Sequence, residues 1–121
     1  MRMPELDQRI NVRWGEAEQL AYAIAWVICQ QLEPPARPTL TMVLSFVPLT
    51  RVRSRLVARS RQEQHHVGAK PKKPRTITLR YDEVAALMHI LPIAPTAGLV
   101  WGEIQQASLT LERFIDFTQP A

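Results

Sequence analysis

The sequence predicts a mainly α-helical fold, a compact bundle of about four helices with one long basic loop and a short extended segment. Three observations carry this. Apolar residues recur at helical spacing over two long stretches, residues 16–32 and 97–117. Only four glycines occur in 121 residues, so long helices are rarely interrupted by flexible points. The prolines gather at joints: Pro34, Pro35 and Pro38, then Pro48, then Pro71 and Pro74, then Pro92 and Pro95. The competing arrangement is an α+β fold with a hairpin from residues 39–61. At this length a single domain, residues 1–121, is expected, with a mobile basic loop at 62–75. Roughly two thirds of the unfolded surface can be buried at this size.

Residues 16–32 read as the first helix. Leu20, Ile24, Val27 and Ile28 share one face. Glu16 and Glu18 lie in the first turn, where the helix dipole favours carboxylates. Pro34 and Pro35 stop the helix. Tyr22, Trp26 and Cys29 add a second apolar stripe. A helix apolar over so much of its girth is either central or shared with another subunit, and a subunit interface is the preferred expectation.

Residues 39–47 suit either helix or strand. Leu40, Val43, Leu44 and Val47 fit a helical face that Thr39 can cap, while the Thr, Val and Phe content suits a strand. Pro48 would kink a helix or end a strand. In residues 49–61, Val52 and Leu56 fall on one side and Arg51, Arg55 and Arg59 recur four apart on another. That spacing favours helix. Residues 62–74 are polar, basic and broken by glycine and proline, the mark of a loop. Residues 76–81 alternate, with Ile77, Leu79 and Tyr81 on one face, and read as extended. Asp82 is expected to cap a short helix over 83–91, with Val84, Leu87, Met88 and Leu91 inward. Thr96 is placed to cap the last helix, 97–117, whose inward positions are Val100, Trp101, Ile104, Ala107, Leu111, Phe114 and Ile115. Trp14-Gly15-Glu16 recurs as Trp101-Gly102-Glu103, and so short a match reads as chance.

Charge is the most polarised property. Between residues 51 and 80 stand Arg51, Arg53, Arg55, Arg59, Arg61, Lys70, Lys72, Lys73, Arg75 and Arg80, opposed by Glu63 alone, so the segment carries 10 − 1 = +9. The whole chain is +4, so the remainder sums to 4 − 9 = −5. Such a segment is the expected contact for a polyanion. The ten cations are therefore candidates for binding the backbone of DNA or RNA. Aromatics are absent from the segment, the nearest being Phe46 and Tyr81, which points to backbone contact with little sequence discrimination. The expected function is that of a small basic accessory protein, a subunit of a larger nucleoprotein complex. The alternative is a protein-interaction module or homo-oligomer whose basic segment docks an acidic partner.

Chemistry of other kinds finds little support. Cys29 lies among Ile24, Val27 and Ile28 and reads as a small core hydrophobe, not a nucleophile. As the only cysteine it permits no internal disulfide, and a cytoplasmic location is expected. His65 and His66 read as solvated loop residues, and His89 as a hydrogen-bonded core or boundary residue. Asp82 and Glu83 read as helix-start acids. No phosphate loop, serine elbow or metal-protease motif occurs, so no catalytic residue, metal or cofactor is expected. The longest apolar run is too short to span a bilayer, and no membrane partner is expected.

Overall fold

The computed structural model describes residues 7–70, 73, 75–90, 93 and 99–118, the side chains of residues 99 and 112–118 aside. It is a mainly α-helical, four-helix bundle with a short two-stranded antiparallel extension. The elements run β1 (Gln8–Val12), α1 (Glu16–Leu32), α2 (Leu40–Gln64), β2 (Arg75–Leu79), α3 (Tyr81–Ile90) and α4 (Leu99–Thr118). Helix α1 packs on α2, α2 on α3, α3 on α4, and α4 on β1. Every element contributes to one apolar core, including Ile10, Leu20, Ile24, Leu49, Leu56, Leu79, Leu87 and Ile104.

Helix α1 starts behind Gly15, whose φ of 85° is a left-handed conformation that glycine adopts without steric cost. Glu16 then closes the turn by accepting the Arg13 backbone N–H at 2.7 Å. Its other carboxylate oxygen accepts the Val100 N–H at 3.1 Å, so one side chain serves the starts of α1 and α4. Leu20, Ile24 and Val27 are buried as the spacing predicts. Cys29 is exposed, against the core expectation. At about 100° per residue it sits with Tyr22 on the side of α1 opposite the buried face.

Residues 40–64 form one helix, which excludes the hairpin. Thr39 caps it, its Oγ1 accepting the Met42 N–H at 3.2 Å. Pro48 lies inside the helix and buried. The inward face is Met42, Ser45, Leu49, Val52 and Leu56. Leu40, Val43, Leu44 and Val47, the face expected to pack, are exposed instead. The physical reason is helical phase. Leu49, Val52 and Leu56 fix which side meets α1, and carrying that side back through Pro48 lands on Ser45 and Met42. Ser45 tolerates its burial because its hydroxyl donates to the Met42 carbonyl at 2.6 Å.

The extended segment is real but shorter than expected. β2 ends at Leu79 and pairs with β1 in the register Ile10↔Ile77, with Gln8↔Leu79 and Val12↔Arg75 at its ends. Tyr81, expected inward on that strand, is instead the first residue of α3 and exposed. The helix begins early because Glu83 reaches back to accept the Arg80 N–H at 2.8 Å, while the Arg80 carbonyl accepts the Val84 N–H. This reciprocal closure puts Arg80 in the cap position expected of Asp82, which lies in the first turn. In α4, Val100, Trp101, Ile104, Ala107 and Leu111 are buried as expected. Leu91, Thr96 and Ala97 lie outside the described residues, as do the side chains of Phe114 and Ile115.

Candidate functional site

The basic segment folds into two parts with different fates. In the first, Arg51, Arg55 and Arg59 project from one face of α2 onto β2 and the start of α3. Arg59 donates to the Thr76 carbonyl at 2.9 Å and Arg55 to the Thr78 carbonyl at 2.8 Å. Arg55 also pairs with Glu83, and Arg51 pairs with Asp82 and approaches Glu83 at 3.6 Å. The match is geometric. Four residues of helix advance about 6 Å, close to the roughly 6.6 Å of two strand residues, so arginines at i and i+4 meet every second carbonyl. Carbonyls two apart point to one edge of a strand, so the arginines cover the edge that β1 leaves free.

Glu83 is the centre of this array. It is 1% exposed and takes Arg55, Arg51 and the Arg80 N–H together. A buried carboxylate is tolerable when it is so paired and hydrogen-bonded. The arginines of the helix, expected as one exposed face free for phosphate, do share a face. Arg51 and Arg55 are already ion-paired inside the fold, whereas Arg59 is held by the Thr76 carbonyl and has no carboxylate within ion-pair distance among the described residues.

The second part comprises Arg53, Arg61, Lys70, Lys73, Arg75 and Arg80. All are exposed, and among the described residues none has an acidic side chain within ion-pair distance. Lys72 lies outside the described residues. Helix α2 runs to Gln64, so the loop begins later than residue 62, and His65 caps the helix by donating its N–H to the Arg61 carbonyl.

Two adjoining cavities lie along these cations. One, of about 430 Å³, runs between α2 and β2 and is lined by Arg55, Arg59, Gln62, Arg75, Thr76 and Thr78. The other, of about 270 Å³, is lined by Val12, Trp14, Gln62, Glu63, His66, Lys73 and Arg75. Gln62 and Arg75 belong to both, so the two form one cleft. Burial lowers the proton affinity of Arg59 below the ordinary arginine value; the like charge of Arg75 acts the same way and Glu63 opposes them.

Trp14 is the residue that sequence reasoning missed. It reaches the basic segment from the turn before α1. His66 meets its ring edge-on, with centroids 5.2 Å apart and planes at 71°. Lys70 Nζ stands 5.9 Å from the ring centre. Glu63 anchors the turn by accepting the Gly15 N–H at 3.0 Å. The segment that contains no aromatic residue is therefore given one by the fold. Its counterpart Trp101 is buried within α4, so the two Trp-Gly-Glu triplets occupy different environments.

The remaining candidates separate clearly. Tyr22, Trp26 and Cys29 lie on the outer side of α1, with Tyr22 65% exposed. Leu40, Val43, Leu44 and Val47 form a matching outer stripe on α2. An apolar groove of about 390 Å³ adjoins it, lined by Leu44, Pro48, Tyr81, Ala85, Ala86 and His89. His89 is thus exposed rather than a core residue. Among the described residues no group of three His, Cys, Asp or Glu side chains is placed to hold a metal, and no helix is long and apolar enough to cross a membrane.

No protein-family model matches the chain, and neither a curated protein nor a solved structure matches it.

Proposed function

We propose that the chain is a protein–protein interaction module that self-associates through the outer stripes of α1 and α2 and presents its basic segment to an acidic partner. One observation carries the reading. Leu40, Val43, Leu44 and Val47 face solvent over the first half of α2, at 43–73% exposure, although each is apolar. A row of such residues on one helical face is unusual for a surface that meets only water. Tyr22, Trp26 and Leu32 extend the exposed apolar surface on α1.

Charge favours a second copy as the occupant. Beyond the groups already paired within the fold, α1 offers the exposed Glu18, whereas α2 offers the exposed Arg53 and Arg61, which have no acidic partner among the described residues. A second molecule turned about a two-fold axis can set the acidic flank of α1 against the basic flank of α2, with the apolar stripes between them. The role is binding rather than catalysis. An exposed, unpaired Cys29 suits a reducing compartment such as the cytoplasm. Light scattering at tens of micromolar tests the reading. The parent chain should show at least twice the monomer mass, and Leu44→Asp should reduce it to one without lowering the melting temperature. A monomeric parent rejects self-association.

A second reading rests on the other part of the basic segment. Arg53, Arg61, Arg75 and Arg80, with Lys70 and Lys73, have no acidic neighbour among the described residues and are free to meet nucleic-acid phosphates. The chain would then serve as the backbone-binding subunit of a larger nucleoprotein complex. If about four of these cations touch a duplex, log affinity should fall with log salt at a slope near −3.6. An affinity that does not change with salt rejects this reading.

A further inference from the structure

We infer that the cleft between Trp14, the C-terminal half of α2 and β2 is a binding site for a phosphorylated planar ring, that is, a nucleotide unit, free or within a single strand. The inference deepens the nucleic-acid reading, on which its polymer form rests, by naming the recognised unit.

Three features converge on this chemistry. The first is shape. The two cavities, about 270 and 430 Å³, share Gln62 and Arg75 and make an elongated trough of the size that takes a small ligand. The second is charge. Arg59, Arg75 and Lys73 line the trough against Glu63 alone, because Arg55 is matched by Glu83. Glu63 is itself tied to the Gly15 N–H. Burial first, and the like charge of Arg75 second, disfavour the charge on Arg59, and an anion between the two arginines offsets both. An arginine fork suits a phosphate, and Gln62 adds neutral donors and an acceptor.

The third feature is the aromatic wall. Trp14 is 37% exposed and lines only one end of the trough, so the ligand needs a flat apolar part at that end and an anionic part at the other. Sulfate or a simple carboxylate would satisfy the arginines and leave Trp14 unused. A duplex buries its ring faces and offers only backbone. A nucleotide unit uses both ends: the ring takes the place of the exposed Lys70 over Trp14, and the phosphate sits at Arg75 and Arg59.

The test uses the full chain and three probes at equal salt: fluorescein-labelled dT12, a 12-base-pair duplex, and free adenosine monophosphate. Anisotropy reads the first two and isothermal titration calorimetry the third. We expect dT12 to bind more tightly than the duplex. Trp14→Ala should weaken dT12 about tenfold, within the range that base stacking contributes, and Trp14→Phe should restore most of the loss. Arg75→Gln should weaken every probe that binds. Adenosine monophosphate binding that Trp14→Ala removes assigns the site to free nucleotides. Strand binding without it assigns the site to single strands. If dT12 and duplex bind alike and Trp14→Ala changes neither, ring recognition is overturned while backbone contact stands. If no probe binds at low salt, both are overturned.

Discussion

Removing the charge of Glu83 should destabilise the whole fold, although the sequence marks the residue only as an acid at a helix start. Glu83 is buried and accepts from the Arg80 N–H and from Arg55, with Arg51 nearby. In Glu83→Gln the amide keeps nearly the same shape, and its NH₂ must face a guanidinium that can only donate. The charge-assisted bond to Arg55 contributes about 1.5–3 kcal/mol in a buried setting. The Arg55 side chain is 39% exposed, so water screens the pair and about half of that is the better figure. Weakening of the helix-start bond from Arg80 adds up to ~1 kcal/mol. The expected cost is therefore about 2 kcal/mol. At ~2.1 cal/mol/K per residue, the 121-residue chain has an unfolding entropy near 0.25 kcal/mol/K, which converts this cost to a melting-point drop of about 8 °C. Thermal melts by circular dichroism read the shift, and a double-mutant cycle with Arg55→Ala should return a coupling of about 1 kcal/mol. A drop under about 2 °C with zero coupling would refute the argument that the carboxylate joins α3 to α2.

Three further outcomes follow from other parts of the fold. The triple substitution of Arg51, Arg55 and Arg59 by alanine should lower stability by about 2–4 kcal/mol in urea unfolding, because it uncaps the β2 carbonyls and leaves Glu83 unpaired. Gly15→Ala should cost about 1 kcal/mol through its left-handed φ alone, since no atom crowds the added methyl; a neutral result would mean the turn re-forms with another geometry. Cys29 in the native chain should react with a thiol reagent at the rate of a model peptide if the α1 stripe is open, and more slowly as concentration rises if a second copy covers it.

The arginines show where sequence reading was strong and where it stopped. Their four-residue spacing correctly marked a helix and a common face. It could not show that the face meets a strand edge, since the acceptors are the carbonyls of Thr76 and Thr78, and a carbonyl leaves no trace in a residue's identity. Their expected freedom therefore failed for a physical reason: a carbonyl edge and two acids in the first turn of α3 compete with any outside anion. The first half of α2 failed differently. Leu40, Val43, Leu44 and Val47 look like a core face, and Met42 with Ser45 does not. Only the unbroken phase of the helix across Pro48 decides between them.

β1 was missed because it offers only Ile10 and Val12 as inward residues, too short a pattern to stand out before its partner is known.

The sequence by itself determined the helices α1 and α4 with their buried faces and the concentration of positive charge, because each depends on residues a few positions apart. Tertiary structure alone decided that residues 39–61 are helix and not hairpin, which cations are free, which apolar stripe is wet, and that Trp14 stands beside the distant Lys70 and Lys73 of the basic segment. Those outcomes depend on pairings between distant elements. Burial and charge neutralisation are settled by what the fold brings within a few ångströms, not by neighbours along the chain.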